Sequence, residues 1–427
     1  MTQSQSRALK LSMDSAVDAL DTFCIDLLQE LVRTPSVTGN EKSAQDKIAA
    51  RLVEMGLDVD VWSPSRSELA AHPAFSDDGL PLGDRPVVVA KWTGTDPGAP
   101  SLILNGHMDV VPTGEDRAWT GGPWSGEVRD NKLWGRGSCD MKGGLAAGVT
   151  AVAALQRLGI KPRGDVLIES VIGEETGGVG TLATLLRGYR ADVAFILEPT
   201  RMALCPVGAG ALSFRIRVHG RAAHAAMRQE GVSAIAKFYY LMRALEELEQ
   251  QRHREFHHPL YRHGELVAPI SIGKIEAGDW PSTVPETLVA EGRYGVLPGE
   301  DVLEARTQFE SALKRACGRD EWLSLHPPVM EWFEGQFESG ETPIDTPVIH
   351  QIVQAHHEVH GHEPRIHGVS YGSDLRLFTN NGGMNALLYG PGDVRIAHSL
   401  NEFVPLDEVR CVTKVLARAI INWSGST

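Results

Sequence analysis

The 427-residue sequence has no C-x-x-C pair, no cluster of lysines and arginines, no internal repeat and no apolar run long enough to span a bilayer. Each absence removes a class of protein. The five cysteines, Cys24, Cys139, Cys205, Cys317 and Cys411, are odd in number and widely spaced, which points to a reduced, cytoplasmic setting. A formal charge of −14, with basic residues scattered, argues against a nucleic-acid partner, because phosphate binding needs clustered positive charge. The acidic surface mainly implies solubility. The opening stretch MTQSQSRALKLSMDSAVDAL is polar and lacks the apolar segment of a secretion signal, so neither export nor a membrane partner is expected.

What is present is a regular alternation. From Ala16 to Leu57 the pattern is helical, and Ser36 and Thr38 offer caps before a helix around Ala44 to Met55. Strand-like runs then alternate with helices: PVVVAKW, SLILNG, DVLIESVIG, DVAFIL and later MNALLYG, with the long helix KGGLAAGVTAVAALQRLG among them. This is the texture of an α/β fold. Between Ala211 and about Pro328 the order becomes strand, helix, strand, strand, helix, a small α+β domain inserted into the first. The expected division is 1–210 with 330–427 for one domain and 211–329 for the insertion.

In open α/β sheets, ligands sit beyond the carboxyl ends of the strands. SLILNGHMD ends on His107 and Asp109, DVLIESVIGEE on Glu174 and Glu175, and DVAFILEPT on Glu198. Asp140 stands in the glycine-rich turn GRGSCDMKGG, and His398 follows MNALLYG in GPGDVRIAHSLNE. Taken singly, each has an ordinary explanation: a hydrogen-bonded histidine, a helix cap, a solvated pair of glutamates. Taken together, carboxylates and histidines at several strand ends call for a cation. Alternation along an extended segment puts His107 and Asp109 on one side, so the Asp109 carboxylate is expected to accept the second imidazole N–H. Alternation also turns Glu174 and Glu175 apart, which leaves them different tasks.

At these residues the chain strongly resembles the M20 metallopeptidase and aminoacylase family, which includes acetylornithine deacetylases, succinyl-diaminopimelate desuccinylases, aminoacylases and glutamate carboxypeptidases. The resemblance rests on GHMDVVP, GRGSCDMKGG, GEETGG, EPT, HGRAAHAA, VAEGRYGVLPGED and YGPGDVRIAHSLNEFV, which occur in family order from about Asp21 onward. It implies a zinc-peptidase-like mixed-sheet catalytic domain carrying an inserted lid and dimerisation domain. It also implies two divalent ions per subunit, commonly zinc with cobalt or manganese as substitutes. Asp140 would bridge them, His107 and Glu198 would hold one, and Glu175 and His398 the other. Three anionic ligands against four positive charges leave room for a bridging hydroxide. Glu174 matches the family's general base. His224 matches a lid histidine that reaches the site of a second subunit and stabilises the oxyanion. Arg293 matches a lid arginine for a substrate carboxylate, and the backbone N–H groups of Gly390 and Gly392 are further candidates for that group. The expected reaction is hydrolysis of a small amide such as an N-acylated amino acid. AAMRQEGVSAI after His224 and WPSTVPE with Ser282 lean toward the deacylase branch, with a carboxypeptidase or dipeptidase as the alternative.

Two other motifs compete. GVSYG satisfies the G-x-S-x-G pattern of a serine hydrolase at Ser370, with Asp374 or Asp393 and His398 downstream, but it leaves HMD, DMKGG and EETGG without a purpose. HHEVHGHEP places His356 and His360 on one helix face, misses H-E-x-x-H by one residue, and reads as a solvated helix surface.

Overall fold

The computed structural model describes residues 3–426; residues 1, 2 and 427, at the ends of the expected first domain, lie outside the described residues. The chain divides into two compact units, one of Met1–Pro206, Glu341–His367 and Leu377–Thr427, the other of Val207–Gly340 and Gly368–Arg376.

The first unit is built on a six-stranded mixed sheet with the order Asp58–Trp62, Val87–Trp92, Val166–Val171, Leu102–His107, Val193–Ile196, Asn385–Leu388. The last four run parallel, and the three of them from Val166 to Ile196 are buried along their whole length, as runs of Val, Ile and Leu covered on both faces should be. The first two pair antiparallel at one edge. The helix Gly143–Arg157 is apolar nearly all round and packs against the sheet and the carboxy-terminal helix Leu406–Ser424. A separate three-stranded sheet joins Glu127–Arg129, Lys132–Trp134 and Phe403–Pro405. No helix among the described residues is long and apolar enough to cross a membrane.

The second unit is a four-stranded antiparallel sheet, ordered Ile270–Ala277, Thr287–Val296, Gly210–His219, Val329–Phe337. Its core is the strict alternation Leu212, Phe214, Ile216, Val218 packed against the helices Ala234–Glu255 and Val302–Cys317. This unit extends further than 211–329. Val329–Phe337 pairs with Gly210–His219, and Trp332 lies 5.3 Å from the Phe309 ring, inside the same core. A register shift between Trp332 and Gln336 breaks its two-residue periodicity, which hides it as a strand in the sequence. Gly368–Arg376 also belongs here, held by the Tyr261 hydroxyl donating to the Val369 carbonyl at 2.7 Å.

Candidate metal centre

Parallel pairing brings the strand ends of the first unit to one edge. The register sets Asn105 beside Ile196 and His107 beside Val171, so Glu198, two residues past Ile196, stands level with His107. Glu174 and Glu175 follow three and four residues beyond Val171. The π-turn Ser138–Lys142 leads into the buried helix and supplies Asp140, and the Asp140–Met141 peptide is cis. His398 comes from the loop after Asn385–Leu388, with φ of +58°, a region non-glycine residues occupy rarely and one that recurs at functional sites.

These side chains form two groups that share one member. His107 Nε2 lies 3.0 Å from Asp140 Oδ1 and 3.8 Å from Glu198 Oε1. His398 Nε2 lies 3.1 Å from Glu175 Oε1 and 3.3 Å from Asp140 Oδ2. Asp140 thus presents a different oxygen to each histidine. Ligand atoms of His107, Asp140 and Glu198, and separately of Asp140, Glu175 and His398, fall within 4.8 Å of one another. Asp140 is no helix cap: its side chain faces the histidines, and the residue preceding the following helix is Lys142.

The charges show what the cluster is made to hold. Burial works against protonating His107, yet its bond to Asp140 and the charges of Asp109, Asp140 and Glu198 hold its pKa well above the usual imidazole value. Hydrogen bonds to Asp140 and Glu175 push His398 up to about 10. Burial resists ionising Asp140, but the two histidines hold it well below the usual carboxylate range. Burial and the Asp140 charge raise Glu175. Carboxylates that draw protons onto both imidazoles form a donor set suited to divalent metal.

Three supporting contacts differ from expectation or were missed. The His107 Nδ1–H donates to the Asp109 backbone carbonyl at 2.8 Å, while the carboxylate is 3.8 Å away. The strand ends at His107, so alternation does not carry through to Asp109. The Asp109 carboxylate instead accepts the backbone N–H groups of Glu174 and Glu175 and the Thr38 hydroxyl, each at 3.2 Å, and so fixes the turn that separates the two glutamates. The N–H groups of Gly390 and Gly392 are already engaged, by Thr200 Oγ1 at 3.1 Å and Glu408 Oε2 at 2.8 Å, and are not donors for a substrate. Their role is close approach: a Cβ at Gly390 would stand 2.5 Å from the Glu198 carbonyl oxygen, and one at Gly392 2.6 Å from Cys139 Sγ. Glu402, unsuspected although it lies in the quoted SLNEFV, is fully buried and accepts the backbone N–H of Cys139 at 2.9 Å and of Asp140 at 3.1 Å. Its other oxygen pairs with buried Arg136 at 2.6 Å. Glu402→Ala strands that guanidinium and releases the Asp140 turn. It is expected to cost about 3–5 kcal/mol in urea unfolding; a loss of less than about 1 kcal/mol would show that the pair does not hold the turn.

The remaining candidates lie in the second unit. His224 is exposed and precedes the 3₁₀ turn Ala225–Glu230, where its Nδ1 accepts the Ala226 N–H at 3.1 Å. In the neutral ring the hydrogen therefore sits on Nε2. Arg293, on Thr287–Val296, donates from Nη2 to the Ser370 carbonyl at 3.2 Å, and burial lowers its pKa. Ser370 does not occupy a nucleophile elbow. It follows an isolated bridge at Val369 rather than a strand, and the imidazole such a serine would require, His398, has Nε2 committed to Glu175 and Asp140.

The chain is 29% identical over 433 residues to the N-formyl-4-amino-5-aminomethyl-2-methylpyrimidine deformylase of Bacillus subtilis (strain 168), across 96% of this chain and 97% of that one. It is 29% identical over 347 residues to the acetylornithine deacetylase of Myxococcus xanthus, across 79% and 84%. The structure of human carnosine dipeptidase 1 shares the fold, with a TM-score of 0.73 at 18% identity over 97% of this chain and 99% of that one. The profile of peptidase family M20/M25/M40 matches residues 103–422, the span that carries every residue of the two ligand groups, and the chain belongs to that family of amide-bond hydrolases.

Proposed function

We propose that the protein removes the acyl group from a small N-acylated amine or amino acid, using two divalent ions shared through Asp140. The observation that carries this reading is the split of the Asp140 carboxylate, one oxygen toward His107 and the other toward His398. Zinc suits the nitrogen and oxygen donors, as do cobalt and manganese. Ions bound there would act as a Lewis acid and lower the pKa of water to near neutrality. Glu174, buried and with its backbone N–H held by Asp109, takes the proton of the attacking water and passes it to the departing amine. Glu175 serves as a ligand. Arg293 binds a substrate carboxylate, which offsets the desolvation of its guanidinium. The extended similarity to a deformylase and a deacetylase supports a short acyl group. Five free cysteines, four of them buried, support a reduced, cytoplasmic setting.

Metal analysis of the purified protein, coupled to a hydrolysis screen of N-formyl, N-acetyl and N-succinyl amines and amino acids alongside dipeptides, tests the reading. Activity on the acyl amides, lost on chelation and restored by zinc, is expected. Preference for dipeptides would assign the peptidase alternative, and chelator-resistant hydrolysis would overturn the metal mechanism.

The second unit supports a homodimer. Its edge strand Ile270–Ala277 is largely exposed, with Ile275 half exposed and Trp280 at 69% just beyond it, an edge open to pairing with a second copy. In that dimer the Nε2–H of His224 donates to the oxyanion in the partner subunit's site. His224→Ala should lose about 2.7–4 kcal/mol of transition-state stabilisation, mainly in kcat. Mixing inactive His224→Ala with inactive Glu174→Ala subunits should restore part of the activity; no recovery despite demonstrated exchange would place His224 outside the partner's site.

A further inference from the structure

The face shared by His356 and His360 in HHEVHGHEP is not a solvated helix surface. His356, on the helix Pro347–His360, is only 3% exposed, and its ring packs against His360 with centroids 4.2 Å apart. Gly361 takes a left-handed conformation, φ +74°, which ends the helix and turns the chain so that His362 comes back over the pair, 5.5 Å from the His356 ring and 5.6 Å from that of His360. One ring nitrogen from each of the three lies within 4.8 Å of the other two.

We propose that His356, His360 and His362 bind a single transition-metal ion of the zinc class, separate from the catalytic pair. The orientation of the rings supports this. The Nε2 atoms of His356 and His360 are both buried without a hydrogen-bond partner among the described residues, which in a packed interior is costly unless something accepts their lone pairs. His362 Nδ1 lies 3.0 Å from the Glu363 carbonyl, which can only accept, so in the neutral ring Nδ1 carries the hydrogen and Nε2 presents a lone pair. His356 Nδ1 lies 2.7 Å from the hydroxyl of fully buried Tyr389, an outer partner of the kind that fixes the tautomer of a metal-bound histidine.

Burial, together with the neighbouring imidazoles, holds His356 down to about 4 and lowers His360 as well, so these rings are neutral and open to a metal at neutral pH. Glu358, on the same helix, is occupied by Lys10 at 2.7 Å. Three imidazoles with a fourth position toward solvent at exposed His362 match a tetrahedral zinc site, and nickel and copper accept the same donors. The ion would pin the end of the helix to the turn that follows it.

The test uses untagged protein stripped by chelator and reloaded with Zn²⁺, with zinc per chain measured after removal of free metal. His362→Ala alters an exposed side chain and should fold normally, as circular dichroism can verify; His360→Ala is the second variant. Each is expected to hold one zinc fewer than the wild type. In an Asp140→Ala background, the zinc that remains should disappear when His362→Ala is added, which separates this site from the catalytic one. Equal zinc content in wild type, His362→Ala and His360→Ala would overturn the proposal, whatever the number held by the Asp140 cluster.

Discussion

Replacing Asp140 with alanine is expected to empty both catalytic metal positions and to abolish amide hydrolysis, a loss larger than the roughly 10²–10⁴-fold that a general base alone supplies. The reason is geometric. Each of the other ligands serves one group, whereas Asp140 contributes an oxygen to both. Its removal leaves two incomplete pairs, His107 with Glu198 and Glu175 with His398, and neither has enough ligands to hold an ion firmly. Because metal bound to the folded state stabilises it, the variant should also lose the part of the zinc-dependent rise in Tm that the catalytic ions contribute. His107→Ala should be milder, since the Glu175 and His398 side of the cluster keeps its ligands. Both ions retained in the Asp140 variant would mean that Asp140 is not shared.

Glu174→Gln should give the opposite pattern, with metal content unchanged and kcat reduced by about 10²–10⁴-fold. Glutamine fills the same buried space and keeps the turn, whose backbone N–H groups are held by Asp109. What it cannot do is accept a proton from water. The expected split is a fall in kcat with little change in KM, because proton transfer belongs to the transition state and not to binding. Wild-type turnover in this variant would remove Glu174 from the chemistry. A parallel loss of metal would make it a ligand.

Much of this centre could be read from the sequence because strand ends in a parallel sheet converge. His107, Glu175 and Glu198 are close in space for the same reason that their strands are adjacent, and each strand announces itself by an apolar run. What escaped depends on partners remote in the chain. Asp109 lies beyond its strand, where alternation no longer fixes direction, and its carboxylate turned out to brace the glutamate turn. Gly390 and Gly392 read as free donors in the sequence, whereas Thr200 and Glu408 occupy their N–H groups in the fold. Glu402 stands under Asp140 from 262 positions away. His356 and His360 share a helix face by simple periodicity, but only the fold shows that His356 is buried, with its Nδ1 against the Tyr389 hydroxyl. The strand Val329–Phe337 is hidden in the sequence by a bulge that interrupts its alternation.

The central claim is that one carboxylate joins two metal positions, and anomalous diffraction from crystals of the zinc-loaded protein tests it most directly. A difference map at the zinc absorption edge should show two peaks flanking the Asp140 carboxylate, about 3.5–4 Å apart. One should be bounded by His107 and Glu198 and the other by Glu175 and His398. A single peak at this cluster, or a pair of peaks that Asp140 does not separate, would contradict the account.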